Sequence, residues 1–161
     1  ADSAFIVNTR GIANEAIFSA IPRPGDAFLY DELIHTNIHD GTKHSLVLWK
    51  RSFRHNDVEY FTEQLLDIRG SQPRIRDGTW CVIIAVESFY SMDGNICPVQ
   101  ELIAACKEIL PNGNAQYVVD ETHSGDIIGP SGAGLVSALG LEKEVAIRMH
   151  TFGKALAGSG G

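Results

Sequence analysis

The feature of this sequence that most restricts its fold is an unbroken apolar run near the middle of the chain. Residues 80–87 hold the longest run of apolar, mainly β-branched side chains in the sequence, with a charged residue only at its end, Glu87. Continuous apolarity over this length is typical of a strand whose two faces are both covered, as in the centre of a parallel sheet. The run therefore predicts a central parallel strand with helices on both sides of its sheet.

Shorter apolar runs and amphipathic segments alternate along the rest of the chain. We predict further strands at 4–7, 26–30, 45–49, 117–120 and 144–149, and helices at 12–21, 36–43, 57–69 and 98–110. Asp57 is placed to cap one of these helices and Pro98 to begin another, and Gly70 to end the first of the two. Strands that alternate with helices indicate an α/β fold, here a three-layer sandwich with a mainly parallel sheet.

Composition limits the function classes. The chain has 161 residues, of which 44% are hydrophobic, enough for one domain with its own core, and no apolar run is long enough to cross a membrane. The formal net charge of −7, without a basic stripe, argues against binding to nucleic acid. Cys81, Cys97 and Cys106 are an odd, scattered set, which predicts reduced, buried thiols and a cytoplasmic protein, with targeting to an organelle left open.

A single lysine lies in the glycine-rich stretch at 149–161. Lys154 has small and apolar neighbours, with Thr151 shortly before it. In a crowded pocket a lysine amine loses hydration, its pKa falls, and it can form a Schiff base with a carbonyl. On these residues alone, a solvated lysine in a flexible loop explains the pattern slightly better.

A second polar stretch follows the predicted strand at 117–120. This strand runs into Asp120 and His123, and ligands of open α/β sheets bind beyond the carboxyl ends of the strands. A pyridoxal phosphate site needs an aspartate upstream of a Schiff-base lysine, because the carboxylate keeps the ring nitrogen protonated and the cofactor an electron sink. A loop-capping aspartate and a structural histidine are the alternatives, and they become weaker when Thr151 and Lys154 are considered together.

Four segments can then be compared as a set. They are Asp-Glu-Leu-Ile-His at 31–35, Glu-Ser-Phe-Tyr-Ser-Met-Asp-Gly at 87–94, Asp-Glu-Thr-His at 120–123 and Thr-Phe-Gly-Lys at 151–154. In this order they resemble the motifs of the α-oxoamine synthases, fold-type I pyridoxal phosphate enzymes that condense an amino acid with an acyl-CoA and release carbon dioxide. The first segment favours the 8-amino-7-oxononanoate synthases among them.

The resemblance implies a role for each matching residue. Lys154 would hold pyridoxal phosphate and later remove the substrate's α-proton, while Asp120 pairs with the ring nitrogen. His35 would stack on the ring. His123 and Ser91 would form hydrogen bonds to the phenolic oxygen of the cofactor.

The phosphate end of the implied site departs from the family's pattern. Thr151 would contact the phosphate, as would the turn before the first helix, where the family has a glycine followed by an aromatic residue. Here Arg10 stands at the glycine and Gly11 at the aromatic position. Arg10 either contacts the phosphate directly or obstructs the site, and the sequence leaves both possibilities open.

Two weaker patterns of basic residues and histidines occur at other positions. His35 and His39 have the spacing of a metal pair on one helix face, but no third ligand stands at a recognised spacing, so we predict no metal site. Arg51, Arg54 and His55 form a basic cluster that could meet a CoA phosphate, but a solvated loop explains this cluster better.

The resemblance also implies an architecture and a reaction. Residues 1–161 would be a single domain, the central part of the large domain of a fold-type I transferase, without the family's N-terminal arm and C-terminal small domain. The complete protein is expected to be a homodimer that forms an α-amino ketone, as in biotin biosynthesis. A fold-type I aminotransferase that uses no CoA, and a non-catalytic fragment or degenerate homologue, remain open alternatives.

Overall fold

A computed structural model describes residues 3–47 and 49–161 of the chain. The elements in chain order are α1 (Arg10–Ala20), β1 (Ala27–Asp31), α2 (Thr36–Lys43), β2 (Trp49–Phe53), α3 (Val58–Ser71), α4 (Pro73–Arg76), β3 (Val82–Glu87), α5 (Val99–Ile109), β4 (Ala115–Asp120), α6 (Leu135–Ala138) and β5 (Val145–Met149). A short 3₁₀ helix, Pro130–Gly132, precedes α6.

The five strands form one parallel sheet in the order β2-β1-β3-β4-β5. Every residue of β3, the central strand, is buried. The apolar run at 80–87 therefore has the position predicted from its composition, because both of its faces are covered. The predicted α/β fold with a parallel sheet is confirmed.

Helices cover both faces of the sheet. On one face, Leu65 of α3 and Leu102 of α5 pack in one core with Ile84 of β3. On the other face, Phe18 of α1 and Ile38 of α2 pack against the alternate side chains of β1 and β3. Burial of a leucine or phenylalanine of this kind contributes about 1.5 to 3 kcal/mol, so the two cores hold the three layers together.

The strand order reverses between β1 and β3. After β1 the chain passes through α2 to β2 at the edge, and it then returns through α3, on the opposite face, to β3 on the other side of β1. Ligands of open α/β sheets bind outside the carboxyl ends of the strands at such a reversal point. The last residues of the strands nearest to it are Asp31, Glu87 and Asp120.

Two predicted strands are wrong in position or existence. Residues 4–7 form no strand: Phe5 and Ile6 are exposed, and only Val7 pairs with another segment, at Gly161. β2 was predicted at 45–49, of which Leu48 lies outside the described residues, but the strand begins at Trp49. β2 lies at the edge of the sheet, and its residues alternate between less exposed and exposed positions. Its sequence is therefore not uniformly apolar.

Smaller differences concern helix ends. Asp57 caps α3 as predicted, since its side chain accepts a hydrogen bond from the amide of Tyr60. The helix continues through Gly70, its predicted end, to Ser71, and the short helix α4 follows directly. In the described part of the chain, no helix has the length and apolarity needed to cross a bilayer.

Candidate functional site

Buried acidic side chains end three neighbouring strands at the carboxyl edge of the sheet. Asp31 ends β1, Glu87 ends β3 and Asp120 ends β4, and all three residues are buried. Glu87 and Asp120 stand opposite each other in the β3–β4 register. Carboxylates removed from water require compensating partners, so the groups that surround them define the chemistry of this edge.

The partner of Asp120 is Arg10, the first residue of α1. The side chain of Thr9 caps this helix and fixes where it begins, which sets the direction from which Arg10 approaches. The Nε and Nη2 atoms of Arg10 donate to Oδ2 of Asp120 at 2.9 and 2.5 Å. The other oxygen of Asp120, Oδ1, accepts from the amide of Thr122 at 2.9 Å.

Glu87 is the third member of this charge cluster. Its Oε2 lies 3.5 Å from Nη2 of Arg10, a looser contact than that to Asp120. Burial raises the pKa of Glu87 to about 7, and the neighbouring charge of Asp120 adds to the rise, while Arg10 and the backbone N–H of His35 oppose it. Arg10 therefore pairs more closely with Asp120 than with Glu87. The carboxyl group of Glu87 keeps its proton to a higher pH than an ordinary glutamate does.

His35 and His123 complete the site from two further loops. Burial lowers the pKa of both imidazoles, and the positive charges of Arg10 and Lys154 lower it further, against the opposing effect of Asp120. Both rings are therefore predominantly neutral near pH 7. The charges of Arg10, Asp120 and Lys154 therefore all act on both rings, although these residues come from distant parts of the sequence.

His35 and His39 have different roles in the structure. His35 precedes α2, and its Nδ1 accepts a hydrogen bond from the amide of Asn37 at 3.2 Å. The ring of His39 packs edge-on against Tyr30, with ring centroids 5.1 Å apart. The two rings therefore make separate contacts, and their arrangement does not support the metal-pair interpretation.

Lys154 lies in the loop that follows β5, and it is exposed. The loss of hydration expected from its sequence surroundings is therefore not seen, because its small and glycine neighbours do not cover the amine. Backbone hydrogen bonds between Val7 and Gly161, at 2.7 and 3.1 Å, bring the end of this loop next to the approach to α1. Thr151 donates to the carbonyl of Gly160 at 3.2 Å and so ties the loop to itself.

Gly11 and Ser91 are the remaining predicted cofactor residues. A Cβ atom at Gly11 would lie 3.0 Å from the side-chain nitrogen of Asn37, so the glycine allows α1 and α2 to approach closely at this edge. Ser91 is exposed in the turn that follows β3. The cofactor roles of both residues stay predictions.

Sequence reasoning missed a second charged cluster, centred on His55. Its Nδ1 lies 2.9 Å from Oδ1 of Asp31, and its Nε2 lies 3.0 Å from Oδ2 of Asp93. The ring also packs edge-on against Tyr90. His55 therefore joins the end of β1 to the turn after β3. The prediction of a solvated loop is wrong for His55, because its side chain is only 14% exposed between the two carboxylates.

Replacing His55 with alanine is expected to lower the free energy of unfolding by about 1.5 to 3 kcal/mol, the usual contribution of a hydrogen bond to a charged group. The buried carboxylate of Asp31 would keep its backbone partners, the amides of Leu33 and Asn56, but lose its side-chain partner. Urea unfolding measures the change. His44→Ala is the matched control, since His44 is exposed and 3.8 Å from Glu15, and equal losses in the two variants would contradict the prediction.

Comparison with known proteins extends over almost the whole chain. The family model described as aminotransferase class I and II matches residues 4–161. Aminoacyl transferase sphA of Byssochlamys spectabilis is 48% identical over 160 residues, which cover 99% of this chain and 34% of that protein. The 8-amino-7-oxononanoate synthase of Emericella nidulans is 41% identical, over 99% of this chain and 39% of that protein. The chain thus spans well under half of the length of these relatives.

The solved structures agree with the curated relatives. A serine palmitoyltransferase from S. paucimobilis, solved with bound PLP-myriocin aldimine, superposes with a TM-score of 0.84 at 30% sequence identity, over 98% of this chain and 36% of that one. The matched part of that structure therefore has the same parallel sheet and helices as this chain. The match of the family model, together with these relatives, shows that this chain belongs to the aminotransferase class I and II family and is related to its α-oxoamine synthases.

Proposed function

We propose that the protein is a pyridoxal phosphate-dependent acyltransferase, which condenses an amino acid with an acyl-CoA thioester and releases carbon dioxide. The observation that carries this proposal is the buried carboxylate of Asp120, which binds a planar cation at the carboxyl edge of the sheet. His35, His123 and Lys154 lie close enough for their charges to interact with it or with one another. The α-oxoamine synthases among the relatives support the same reaction class.

The residues present fit pyridoxal phosphate. Oδ2 of Asp120 already accepts N–H groups from a planar, delocalised cation, and a protonated pyridine nitrogen is a planar N–H donor of the same charge. The neutral imidazoles of His35 and His123 suit stacking on a ring and hydrogen bonding to a phenolic oxygen. The free amides at the start of α1, which include that of Gly11, suit a phosphate group.

Each residue can then be given a part in the reaction. When bound, the cofactor supplies the electron sink for a carbanion at the substrate's Cα. Asp120 would hold the proton on the ring nitrogen, His35 would lie against the ring face, and His123 would donate or accept a hydrogen bond at the phenolic oxygen. Lys154 would hold the cofactor through its amine and would move the proton at the substrate's Cα. Thr151 would orient the phosphate.

Within this class, we propose a reaction like that of 8-amino-7-oxononanoate synthase, a step in biotin biosynthesis. The Asp-Glu-Leu-Ile-His segment and the similarity to the Emericella nidulans enzyme support it. Because the relative named aminoacyl transferase is also similar, assays should cover a panel of amino acids and acyl-CoA chains. A homodimer is the proposed assembly.

Trapping of the cofactor tests the proposal. Among the lysines of the described residues, we expect pyridoxal phosphate and borohydride to label Lys154, because its charge acts on both His35 and His123. Mass spectrometry of peptides identifies the labelled residue. Lys154→Ala should abolish the label, and Asp120→Ala should lower it at least tenfold, as the ring loses its charged partner. The exposed Lys107 provides the matched control, since Lys107→Ala should leave labelling unchanged.

The outcomes distinguish the open alternatives. Label spread over surface lysines, at the same level in Lys154→Ala, would contradict the proposed function. If Lys154 is labelled, release of CoA from an acyl-CoA in the presence of an amino acid identifies the acyltransferase. A half-reaction that depends on a keto acid, without release of CoA, would identify an aminotransferase instead.

A further inference from the structure

Arg10 occupies the oxygen that the proposed function assigns to the cofactor ring. Both of its contacts with Asp120 are to Oδ2, and Oδ1 is already bound to the amide of Thr122. The side chain of Arg10 is only 13% exposed, so this is a buried pair and not a contact at the surface. A protonated ring nitrogen that pairs with Oδ2 of Asp120 would therefore take the position that the guanidinium holds.

A second acceptor for the guanidinium lies next to the first. Oε2 of Glu87 is 3.5 Å from Nη2 of Arg10, and Glu87 stands opposite Asp120 on the neighbouring strand. The guanidinium can therefore move from one carboxylate to the other by a small rotation of its side chain, without leaving the buried edge. Such a move would free Oδ2 and keep the arginine paired.

The charges at this edge favour the exchange. Two carboxyl groups face one guanidinium, so an additional cation is needed before both can be ionised with a partner each. The protonated ring nitrogen of the cofactor is such a cation. With it bound to Asp120 and Arg10 bound to Glu87, two positive and two negative charges would form two pairs.

We propose that Arg10 is an exchangeable cation that closes the ring-nitrogen position of Asp120 in the cofactor-free protein and pairs with Glu87 when the cofactor binds. This inference rests on the proposed function. It makes Arg10 and Glu87 determinants of cofactor affinity: Arg10 weakens binding by competing for Asp120, and Glu87 restores part of that affinity by accepting the displaced guanidinium.

Equilibrium titration with pyridoxal phosphate, followed by the absorbance of the bound cofactor, tests the exchange in the full-length protein. Arg10→Gln is expected to lower the dissociation constant about tenfold, because the competing cation is gone and the free form of Asp120 is fully populated. Glu87→Gln is expected to raise the dissociation constant about tenfold, because the displaced guanidinium has no second partner. In the double variant the Glu87 substitution should have no further effect.

Control variants keep the test interpretable. Arg10→Lys retains a cation but not the two-point contact, and its dissociation constant is expected to lie between those of the wild type and Arg10→Gln. Arg76→Gln changes an exposed arginine before β3, at the opposite edge of the sheet, and should leave binding unchanged. Circular dichroism confirms that each variant is folded before it is titrated.

Four results would overturn the inference. Weaker binding in Arg10→Gln would mean that Arg10 is a direct ligand of the cofactor, for example of its phosphate. Unchanged binding in Arg10→Gln, or equal effects of Glu87→Gln with and without Arg10, would mean that no exchange occurs while the proposed function stands. No binding of pyridoxal phosphate by the wild type or any variant would overturn the proposed function together with the exchange.

Discussion

Replacement of Asp120 with asparagine is expected to lower the free energy of unfolding by about 3 kcal/mol. Breaking a buried ion pair by removing the charge of one partner has a cost of this size, because the other charge stays buried without compensation. Arg10 would keep only the looser contact to Glu87, at 3.5 Å. That contact should strengthen as Glu87 loses the repulsion of Asp120, which places the expected loss at the lower end of the usual range.

A double-mutant cycle separates this effect from loss of side-chain shape. Urea unfolding of Asp120→Asn, Arg10→Gln and the double variant, all without cofactor, gives the coupling free energy of the pair. The loss of unfolding free energy in the double variant should be smaller than the sum of the two single losses by more than about 1 kcal/mol, because the double variant leaves neither charge unpaired. Additive losses would contradict a direct pair. The exposed pair of Lys107 and Glu144 is the control, with an expected coupling of about 0 to 1 kcal/mol.

The parts of the fold that followed from sequence are those with a strong local signal. The apolar run at 80–87 could only be satisfied by a strand covered on both faces, and β3 is that strand. The predicted helix at 36–43 has the same bounds as α2, and Asp57 caps α3. Asp120 directly follows apolar residues, and it ends β4 at the carboxyl edge of the sheet as the sequence predicts.

The parts that did not follow depend on tertiary contacts. β2 is an edge strand in which the exposed Lys50 and Ser52 alternate with less exposed residues, so its sequence is less apolar than the segment before it. The pairing of Arg10 with Asp120 joins residues 110 positions apart, and no local pattern identifies it. His55 was interpreted as part of a solvated basic loop, since sequence alone does not show that Asp31 and Asp93 lie on either side of its ring.

Glu87 gives the second large expected effect, a decrease in stability as the pH rises. Its pKa is about 7 in the folded chain, against an ordinary value of 4.5. Between these values the folded protein holds a proton that the unfolded chain has released, so the free energy of unfolding falls with increasing pH, by at most about 1.4 kcal/mol per pH unit. The contribution is fully present below pH 4.5 and is lost once the pH exceeds about 7.

Glu87→Gln should remove this dependence, because glutamine resembles the protonated carboxyl and does not titrate. The measurement is urea unfolding of the cofactor-free protein at pH values from about 4.5 to about 8, where the wild type should lose stability more steeply than the variant. Glu108→Gln, an exposed position on α5, should retain the slope of the wild type. Equal slopes in the wild type and Glu87→Gln would mean that Glu87 is already ionised in the folded protein. The guanidinium of Arg10 would then be shared between both carboxylates before any cofactor arrives, and the exchange would require no release of a proton.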